Sequence, residues 1–317
     1  MNTKLLFECI EAHDVITIYR HVAPDSDALG SQFGLKQWIM DTYPEKKVYA
    51  LGYEECSKSS NFPASDEVDD KEIENSLAII LDTANTGRID DGRWSKAKSS
   101  IRVDHHIIVE KFADHEIIED IFGATCEILG FMLKEEHKQV SAQCAQYLYG
   151  GLIADTLRFS IATITSETLK VAAFLLEAGA NVAKANEENF STPMVQFRYE
   201  NYIRSNFKWF DDCIAYIIVH KEDYEKFGLS FNEAKEKVFV LGGVDEFQAW
   251  ALFVEKERNE QGECVYNGSL RSKNKTINDI ANRYHGGGHR FACGVKGLLE
   301  ADIKQLLIDL SECVKEQ

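Results

Sequence analysis

The sequence predicts an α/β protein with two domains, of which the first contains a mainly parallel sheet and the second is smaller. Its 317 residues exceed the usual length of a single domain. The first half alternates apolar strand patterns with helical patterns, as chains with parallel sheets do. A second strand-and-helix pattern begins after the polar and aromatic stretch 181–210. We therefore predict a first domain at residues 1–185, a connector at 186–210 and a second domain at 211–317.

Four strand patterns of the first half are short apolar or β-branched runs that end in polar residues. They cover residues 14–21, 46–53, 76–83 and 99–106. The third is an almost continuous apolar run, which is typical of a parallel strand with both faces buried. Apolar residues at helical spacing predict a helix at 27–43, which ends before Pro44. Further helical patterns cover residues 125–137, 141–159 and 166–180.

The second half has its own strand-and-helix pattern. Its apolar and β-branched runs lie within residues 213–229, 250–257 and 265–272. A helical pattern follows at 276–284, and the glycine-rich sequence "HGGGH" at 285–289 predicts a loop. This order predicts a smaller second α/β domain.

Composition and charge exclude several classes of protein. The chain is 44% hydrophobic and 27% charged, as soluble globular proteins are, and its apolar runs are shorter than the roughly 20 residues of a membrane span. The eight Cys form no C-x-x-C pair, which excludes zinc-ribbon and thioredoxin-like proteins. We expect a cytoplasmic protein with no membrane partner, because the N-terminus lacks a signal-peptide pattern and scattered Cys suit a reducing cytosol. The net charge of −17 argues against binding to long duplex DNA.

The segment 271–296 departs from this acidic composition, since it holds six Lys or Arg and one acid. A small basic region on an acidic protein suits a small anionic ligand. Its glycine run allows backbone N–H groups to approach a phosphate, and nearby Arg and His side chains can add charge-assisted hydrogen bonds. The candidate substrate-binding residues of this region are Ser269, Arg271, Ser272, Gly286, Gly287, Gly288 and His289.

Carboxylates and histidines follow apolar segments of the first half, where we expect strands to end. The four clusters are "HVAPDSDALGS" with His21, Asp25 and Asp27, "LDTANTGR" with Asp82, "VDHH" with Asp104, His105 and His106, and "LIADTLRFS" with Asp155. The carboxyl ends of strands in an open parallel sheet share one crevice, where ligands bind. Each Asp taken singly is more often a turn residue or a helix cap. Their joint occurrence instead favours convergence at one site.

Carboxylates that converge repel one another, and burial raises the cost of charging them. Divalent cations relieve both problems. Asp and His ligands without thiolates favour Mn²⁺, Mg²⁺ or a similar ion over a structural zinc. A bridging carboxylate holds two ions about 3.5–4 Å apart, an arrangement that suits water activation and displacement at a phosphoryl group.

Together these motifs resemble the DHH phosphoesterase superfamily. "DHH" at 104–106, with "HVAPDSDALGS" before it, "LDT" between the two and "ADT" after it, is similar to the superfamily's first domain. "SLRSKNKTINDIANRYHGGGHRFACG" at 269–294 resembles the companion DHHA1 domain. The resemblance covers nearly the whole chain and is greatest to the nanoRNase group of bifunctional oligoribonucleases and pAp phosphatases. The chain departs from the pattern in having three glycines after His285, where four are common, and "ACG" at 292–294, where "AAG" is common.

The resemblance implies two Mn²⁺ ions, with Mg²⁺ or Co²⁺ as substitutes. The implied ligands are His21, Asp25 and Asp82 for one ion, and Asp27, Asp82, His105 and Asp155 for the other. It also implies catalytic roles for Asp82 as the bridge, for His106 beside the phosphate and for Asp104, which orients the His pair. Arg88 and Arg158 are candidates for substrate contact or for structural ion pairs. The active site is expected in a cleft between the two domains.

The resemblance predicts hydrolysis of short RNA oligonucleotides to mononucleotides and of pAp to AMP. A short substrate presents few phosphates, so an acidic protein needs little basic surface to bind it. Hydrolysis of cyclic di-AMP or pApA remains open, as does formation of a homodimer. A family-II-type pyrophosphatase and a non-catalytic nucleotide-binding protein are further alternatives. A RecJ-type exonuclease would require additional nucleic-acid-binding domains, for which this chain has no room.

Overall fold

The structure, a computed structural model, describes residues 1–54, 61–288 and 290–315. The chain forms two units, Met1–Ser191 and Thr192–Gln317, so the division falls within the stretch 186–210. Both units combine helices with a β-sheet, which confirms the predicted α/β class. Among the described residues, no helix has both the length and the apolar character needed to cross a membrane.

A five-stranded sheet lies in the first unit, and all of its neighbouring strands are parallel. Its strands are β1 (Val15–Tyr19), β2 (Lys47–Leu51), β3 (Leu77–Leu81), β4 (Ser99–Asp104) and β5 (His115–Ile118), in the spatial order β2-β1-β3-β4-β5. The first four are the predicted strands. No sequence pattern predicted β5, because this edge strand has only four residues and begins with the polar pair His115 and Glu116.

The helices of the first unit are α1 (Leu5–Glu11), α2 (Ser26–Thr42), α3 (Asp70–Glu74), α4 (Thr125–Glu135), α5 (Ala142–Asp155), α6 (Ser166–Glu177) and α7 (Val182–Phe190). Helix α2 begins after Asp25, whose side chain caps it by accepting the N–H groups of Asp27 and Ala28. Helices α2 and α5 pack closely, since a Cβ on Gly30 would lie 2.7 Å from the Tyr147 carbonyl oxygen. Glycine at this position therefore sets how near the two helices approach.

The core of the first unit joins the sheet to these helices. Ile16 and Ile79 of the strands and Trp38 and Leu148 of the helices are buried in one apolar cluster. Every side chain of β3 is buried, as expected for a central parallel strand. A rigid sheet of this kind provides a firm base for the polar residues at its carboxyl edge.

The second unit contains a six-stranded mixed sheet in the order β10-β11-β9-β8-β7-β6. Its elements are α8 (Met194–Asn206), β6 (Lys208–Phe210), β7 (Ile214–Val219), α9 (Lys221–Glu225), α10 (Phe231–Lys235), β8 (Ala249–Arg258), β9 (Cys264–Ser272), α11 (Asn278–Arg283), β10 (Gly287–Gly288), β11 (Ala292–Leu298) and α12 (Glu300–Lys315). Only β7 and β8 pair in parallel, and the other neighbours are antiparallel. Two residues expected in a glycine-rich loop instead form the short strand β10.

Candidate metal centre

The polar residues that follow three neighbouring strands meet at the carboxyl edge of the first sheet. His21 comes two residues after β1, Asp82 directly follows β3 and Asp104 is the last residue of β4. These strands are adjacent in the order β1-β3-β4. The sequence predicted this convergence because parallel strands end at one edge.

Asp82 lies at the middle of the site. Its backbone has a φ of 53° and its side chain is buried. Asp82 Oδ2 is 3.4 Å from Nε2 of His21, and Oδ1 is 3.4 Å from Nε2 of His105. The Thr125 hydroxyl donates to Oδ1 at 3.1 Å. The two carboxylate oxygens thus face two different imidazoles, as a bridging ligand requires.

The first ligand set contains His21, Asp25 and Asp82. His21 Nδ1 donates to the Val22 carbonyl oxygen at 2.8 Å, which leaves Nε2 as the nitrogen for a metal. Asp25 Oδ2 is 3.6 Å from that Nε2, while Asp25 Oδ1 caps α2. The cap therefore holds Asp25 in place and leaves its Oδ2 near His21, so the capping role of this residue is compatible with metal binding.

The second ligand set contains Asp27, Asp82, His105 and Asp155. His105 Nε2 lies 3.4 Å from Asp82, 3.5 Å from Asp155 and 4.0 Å from Asp27. Asp27 is fully buried. Its two oxygens accept the backbone N–H groups of Thr125 and Cys126, at 2.7 and 2.9 Å, at the start of α4. The positive end of that helix favours a buried carboxylate.

Asp155 reaches the centre from a helix, as the helical pattern at 141–159 predicts, and not from the end of a strand, where its cluster was expected. It is the last residue of α5. The apolar residues Leu152 and Ile153 before it are buried and continue the packed face of that helix. A short apolar run fits a strand and a buried helix equally well, and here the longer helical context decides.

The donors fit two divalent cations. His21, Asp25 and Asp82 place ligand atoms within 4.8 Å of one another, as do Asp27, His105 and Asp155. His105 Nε2 is buried and makes no hydrogen bond, although three carboxylates surround it. An imidazole nitrogen that faces several carboxylate oxygens without bonding to them can bind a cation in common with those oxygens. Oxygen and imidazole donors without a thiolate favour Mn²⁺ or Mg²⁺.

The metal-free centre compensates its negative charge with protons. Burial raises the pKa of Asp27 to about 7 and that of Asp155 to about 9, and the neighbouring carboxylates add to both shifts. Burial lowers the pKa of His21 and His105, but contacts with Asp82 and the other carboxylates outweigh it and raise both values to about 10. Burial opposes ionisation of Asp82, but contacts with the two histidines outweigh it and lower its pKa. Protons on His21 and His105 thus supply positive charge that bound metal ions would otherwise provide.

Asp104 and His106 lie beside the candidate ligands. His106 Nδ1 lies 2.7 Å from Asp104 Oδ1 and 3.6 Å from Asp82 Oδ1. Asp104 Oδ2 accepts from the guanidinium of Arg102, which is fully buried and also donates to the carbonyl oxygens of Ala84 and Glu110. Asp104 therefore holds Nδ1 of His106 and leaves Nε2 for other contacts.

Two supporting residues of the site were not predicted from the sequence. Arg102 orients Asp104, and its charge within the apolar run "IRV" was the available signal. Thr125 binds Asp82 through its hydroxyl and Asp27 through its N–H. No local signal identified Thr125, because its partners are 43 and 98 residues away.

The two arginines proposed for substrate contact lie in different surroundings. Arg88 Nη2 is 3.3 Å from His21 Nδ1, so Arg88 is close to the metal centre. The guanidinium of Arg158 stacks on the ring of Phe190 at 4.3 Å from its centroid, and its backbone has a φ of 59°. Substrate contact by either residue stays a prediction.

A cavity of about 350 Å³ in the second unit contains part of the predicted phosphate pocket. It is lined by His285, Gly286, Gly287, Gly294, Val295 and two lysines, Lys235 and Lys296. Gly286 has no room for a side chain, since a Cβ would lie 2.0 Å from the Gly294 carbonyl oxygen. Lys235 was not among the predicted residues, because α10 is distant in sequence from the glycine run.

The other predicted residues of this region lie on or beside the same strands. Ser269 pairs with Gly294, and Arg271 pairs with Ala292 in the β9–β11 ladder. The Ser269 hydroxyl donates to the Lys235 carbonyl oxygen at 3.4 Å. The hydroxyl of Ser272 donates to the carbonyl of Lys275, and Gly288 pairs with Cys293. His289 lies outside the described residues.

Asp82 belongs to two sets of Asp and His residues at the carboxyl edge of a parallel sheet. This arrangement defines the class of metal-dependent hydrolases of phosphate esters. The chain belongs to the DHH family of phosphoesterases. Residues 15–152 match the N-terminal domain of the DHH family, and residues 217–316 match the DHHA1 domain. The predicted family is thereby confirmed.

Several known proteins are similar to this chain over its whole length. A probable bifunctional oligoribonuclease and PAP phosphatase NrnA from Streptococcus mutans is 34% identical, covering 98% of this chain and 99% of the relative. The bifunctional oligoribonuclease and PAP phosphatase NrnA of Bacillus subtilis is 32% identical, covering 100% and 99%. An exopolyphosphatase-related protein from Bacteroides fragilis shares the fold, with a TM-score of 0.85, 24% identity and coverage of 99% and 97%.

Proposed function

We propose that this protein hydrolyses short RNA oligonucleotides to mononucleotides and pAp to AMP, using two Mn²⁺ ions for which Mg²⁺ or Co²⁺ can substitute. The observation that carries the proposal is the position of Asp82, whose two oxygens each lie 3.4 Å from a different histidine. The names of the two full-length relatives support this pair of activities.

The ligands would divide between the two ions as the motifs imply. His21, Asp25 and Asp82 would hold one ion, and Asp27, His105, Asp155 and the shared Asp82 would hold the other. When bound, such ions lower the pKa of a water molecule and stabilise charge on a phosphoryl group. The carboxylates of the chain fix this arrangement before substrate arrives, because Asp25 and Asp27 are held by helix N–H groups.

His106 is the group of the chain that would act on the substrate directly. Asp104 accepts from its Nδ1. Nε2 can therefore take a proton, and in the resulting imidazolium it can donate a hydrogen bond to a phosphate oxygen or a proton to the leaving oxygen. Burial opposes ionisation of Asp104, but His106 and Arg102 outweigh it and lower its pKa, and Arg102 also holds the carboxylate in place. Arg88 adds positive charge near His21, where it can contact a phosphate oxygen.

The cavity of the second unit is proposed to bind the terminal phosphate of the substrate. Lys235, Lys296 and His285 line it, and Arg271 lies on the neighbouring strand β9. The glycines of this run carry no side chains, so their backbone N–H groups can approach a phosphate closely. The cleft between domains, the homodimer and the cytoplasmic location stay predictions.

A product-resolved hydrolysis assay with Mn²⁺ tests the function. It compares pAp, pApA, cyclic di-AMP, pyrophosphate and RNAs from dinucleotides to about twenty-four residues, with Asp82→Asn as the control. We expect fast cleavage of pAp and of the shortest RNAs, and loss of both in the variant. Activity confined to cyclic di-AMP or pyrophosphate would overturn the proposed substrates. Nucleotide binding without any turnover would overturn the proposed activity.

A further inference from the structure

Three metal-binding side chains of different types converge in the second unit. His220 follows β7, Glu255 lies in β8 and Cys264 is the first residue of β9. One ligand atom of each lies within 4.8 Å of the other two. We propose that His220, Glu255 and Cys264 bind a Zn²⁺ ion at a site that shares no residue with the metal centre of the first unit.

The strand pairing explains why these residues meet. Val219 pairs with Val254 in the parallel β7–β8 ladder, so the next residues, His220 and Glu255, are neighbours. Glu255 pairs with Tyr266 in the antiparallel β8–β9 ladder. Cys264 lies two residues from Tyr266 and therefore on the same face of the strand. A register shift just after Glu255 is a bulge of the kind that redirects side chains.

The distance between His220 and Glu255 is compatible with two ligands of one ion. His220 Nδ1 is 3.2 Å from Glu255 Oε2. Zinc bonds of about 2.0–2.1 Å in a tetrahedral arrangement place two such ligand atoms roughly 3.3 Å apart. The Tyr266 hydroxyl is also 3.2 Å from the same Nδ1. A neutral imidazole offers one proton or one lone pair at Nδ1, so it cannot form two full hydrogen bonds there.

The surroundings attract a cation and leave space for a further ligand. A cavity of about 330 Å³ adjoins the three residues, and Glu222, Asp223 and Glu225 line it together with Lys221 and Arg258. Counting Glu255, four carboxylates and two cations line the cavity. Even when Lys226, which pairs with Asp223, is included, the surroundings keep a net negative charge, which favours cations. The Lys221 N–H donates to Glu255 Oε2 at 3.2 Å and orients it. Arg258 Nε is 3.6 Å from Glu255 Oε1, but its side chain is 63% exposed and can move aside.

The donor chemistry selects zinc over the ions of the first unit. Zn²⁺ binds nitrogen, oxygen and sulfur donors, and three protein ligands with an open fourth position are typical of its catalytic sites. Thiolate donors favour softer ions than Mn²⁺ or Mg²⁺. Such an ion would tie together β7, β8 and β9.

Cobalt absorption tests the proposal on the full chain, because Co²⁺ bound to a thiolate has a charge-transfer band that Asp and His ligands lack. We expect this band in the wild type and in the control Cys313→Ser, a half-exposed cysteine of the same unit. It should disappear in Cys264→Ser, and the zinc content should fall by one ion per chain. Absence of the band in the wild type, or its persistence in Cys264→Ser, would overturn the proposal.

A second measurement needs no variant. Iodoacetamide labelling of the wild-type protein, followed by peptide mass spectrometry, reports the reactivity of Cys264 with and without Zn²⁺. We expect Zn²⁺ to slow labelling of Cys264 at least about tenfold and to leave Cys9 of the first unit unchanged, since a coordinated thiolate is a poor nucleophile. Equal rates for Cys264 with and without Zn²⁺ would contradict the proposed site.

Discussion

Asp82 is the residue on which both ligand sets depend. We expect Asp82→Asn to lower kcat/KM at least about 10³-fold, equivalent to about 4 kcal/mol, because a bridging carboxylate holds both ions and their charge. Metal content and hydrolysis of pAp measure the effect. The expected metal content of the variant is below two ions per chain.

Asp91 provides a matched control for that substitution. It is as buried as Asp82, but it pairs with Arg93 at 2.7 Å and belongs to neither ligand set. Asp91→Asn is expected to lose stability and to keep two ions and its activity. Two bound ions and full activity in Asp82→Asn would show that Asp82 is not the bridge.

Asp104 acts on the reaction through His106. We expect Asp104→Asn to lower kcat about 10- to 100-fold, as loss of a carboxylate behind a histidine does, while two ions remain bound. The free energy of unfolding should also fall by about 3 kcal/mol, because the buried charge of Arg102 loses its ionised partner. Steady-state kinetics, metal analysis and denaturant unfolding check the three effects. An unchanged kcat would remove Asp104 and His106 from the proposed chemistry.

At the scale of elements, the contact between α2 and α5 sets the position of two ligands. A Cβ on Gly151 would lie 2.4 Å from Cys126 Sγ and 3.0 Å from the Cα of Asp27. We expect Gly151→Ala to cost about 1–3 kcal/mol through overpacking and to weaken Mn²⁺ binding, because α5 also carries Asp155. Denaturant unfolding and Mn²⁺ titration measure both.

Gly150 is the control for that substitution within the same helix. A Cβ there would meet only Asn189 Nδ2 at 3.6 Å, an ordinary contact. Gly150→Ala should therefore leave Mn²⁺ affinity unchanged and gain up to about 1 kcal/mol from helix propensity. Equal Mn²⁺ affinities in the two variants would show that the α2–α5 spacing does not position the ligands.

At the scale of the whole molecule, metal and pH act on stability together. His21, His105, Asp27 and Asp155 all have pKa values above their ordinary ones in the metal-free fold. The folded state therefore binds more protons than the unfolded state, and stability falls as pH rises from about 7 to about 10. Metal ions displace these protons and bind more tightly at higher pH.

We expect the Tm of the metal-free protein to fall between pH 7 and pH 9, and the increase in Tm caused by Mn²⁺ to grow over the same range. Thermal unfolding at several pH values, with and without Mn²⁺, provides the measurement. In Asp82→Asn, Mn²⁺ should no longer raise the Tm at any pH. If the increase in Tm caused by Mn²⁺ became smaller as the pH rises, the proposed protonation of the metal-free centre would be contradicted.

The phosphate pocket of the second unit predicts a different kinetic signature. Arg271→Gln should raise KM for pAp about 10- to 100-fold, because a charge-assisted hydrogen bond to phosphate contributes about 1.5–3 kcal/mol. Metal content should stay at two ions. Arg283→Gln is the control, since this exposed arginine pairs with Asp309 at 3.2 Å. Equal KM values for the two variants would count against the pocket.

The strands and the polar residues at their ends were largely predictable from the sequence. Strands β1, β3 and β4 are short apolar runs that end near His21, Asp82 and Asp104, and parallel pairing brings such ends together. Strand β5 is too short and polar for its pattern to be recognised. The segment before Asp155 fits both a helical pattern and a strand that ends at the site, because a local apolar run does not distinguish a strand from a buried helix.

The sequence by itself determined the strands β1, β3 and β4 and the polar residues that follow them at one edge of the sheet, because hydrophobic periodicity and residue type are local properties. Only the tertiary structure decided which oxygen of Asp82 faces which histidine, that Arg102 and Thr125 support the ligands, and that His220, Glu255 and Cys264 meet. Most of these contacts join residues far apart in the chain. Their geometry depends on strand register and helix packing, which no local pattern encodes.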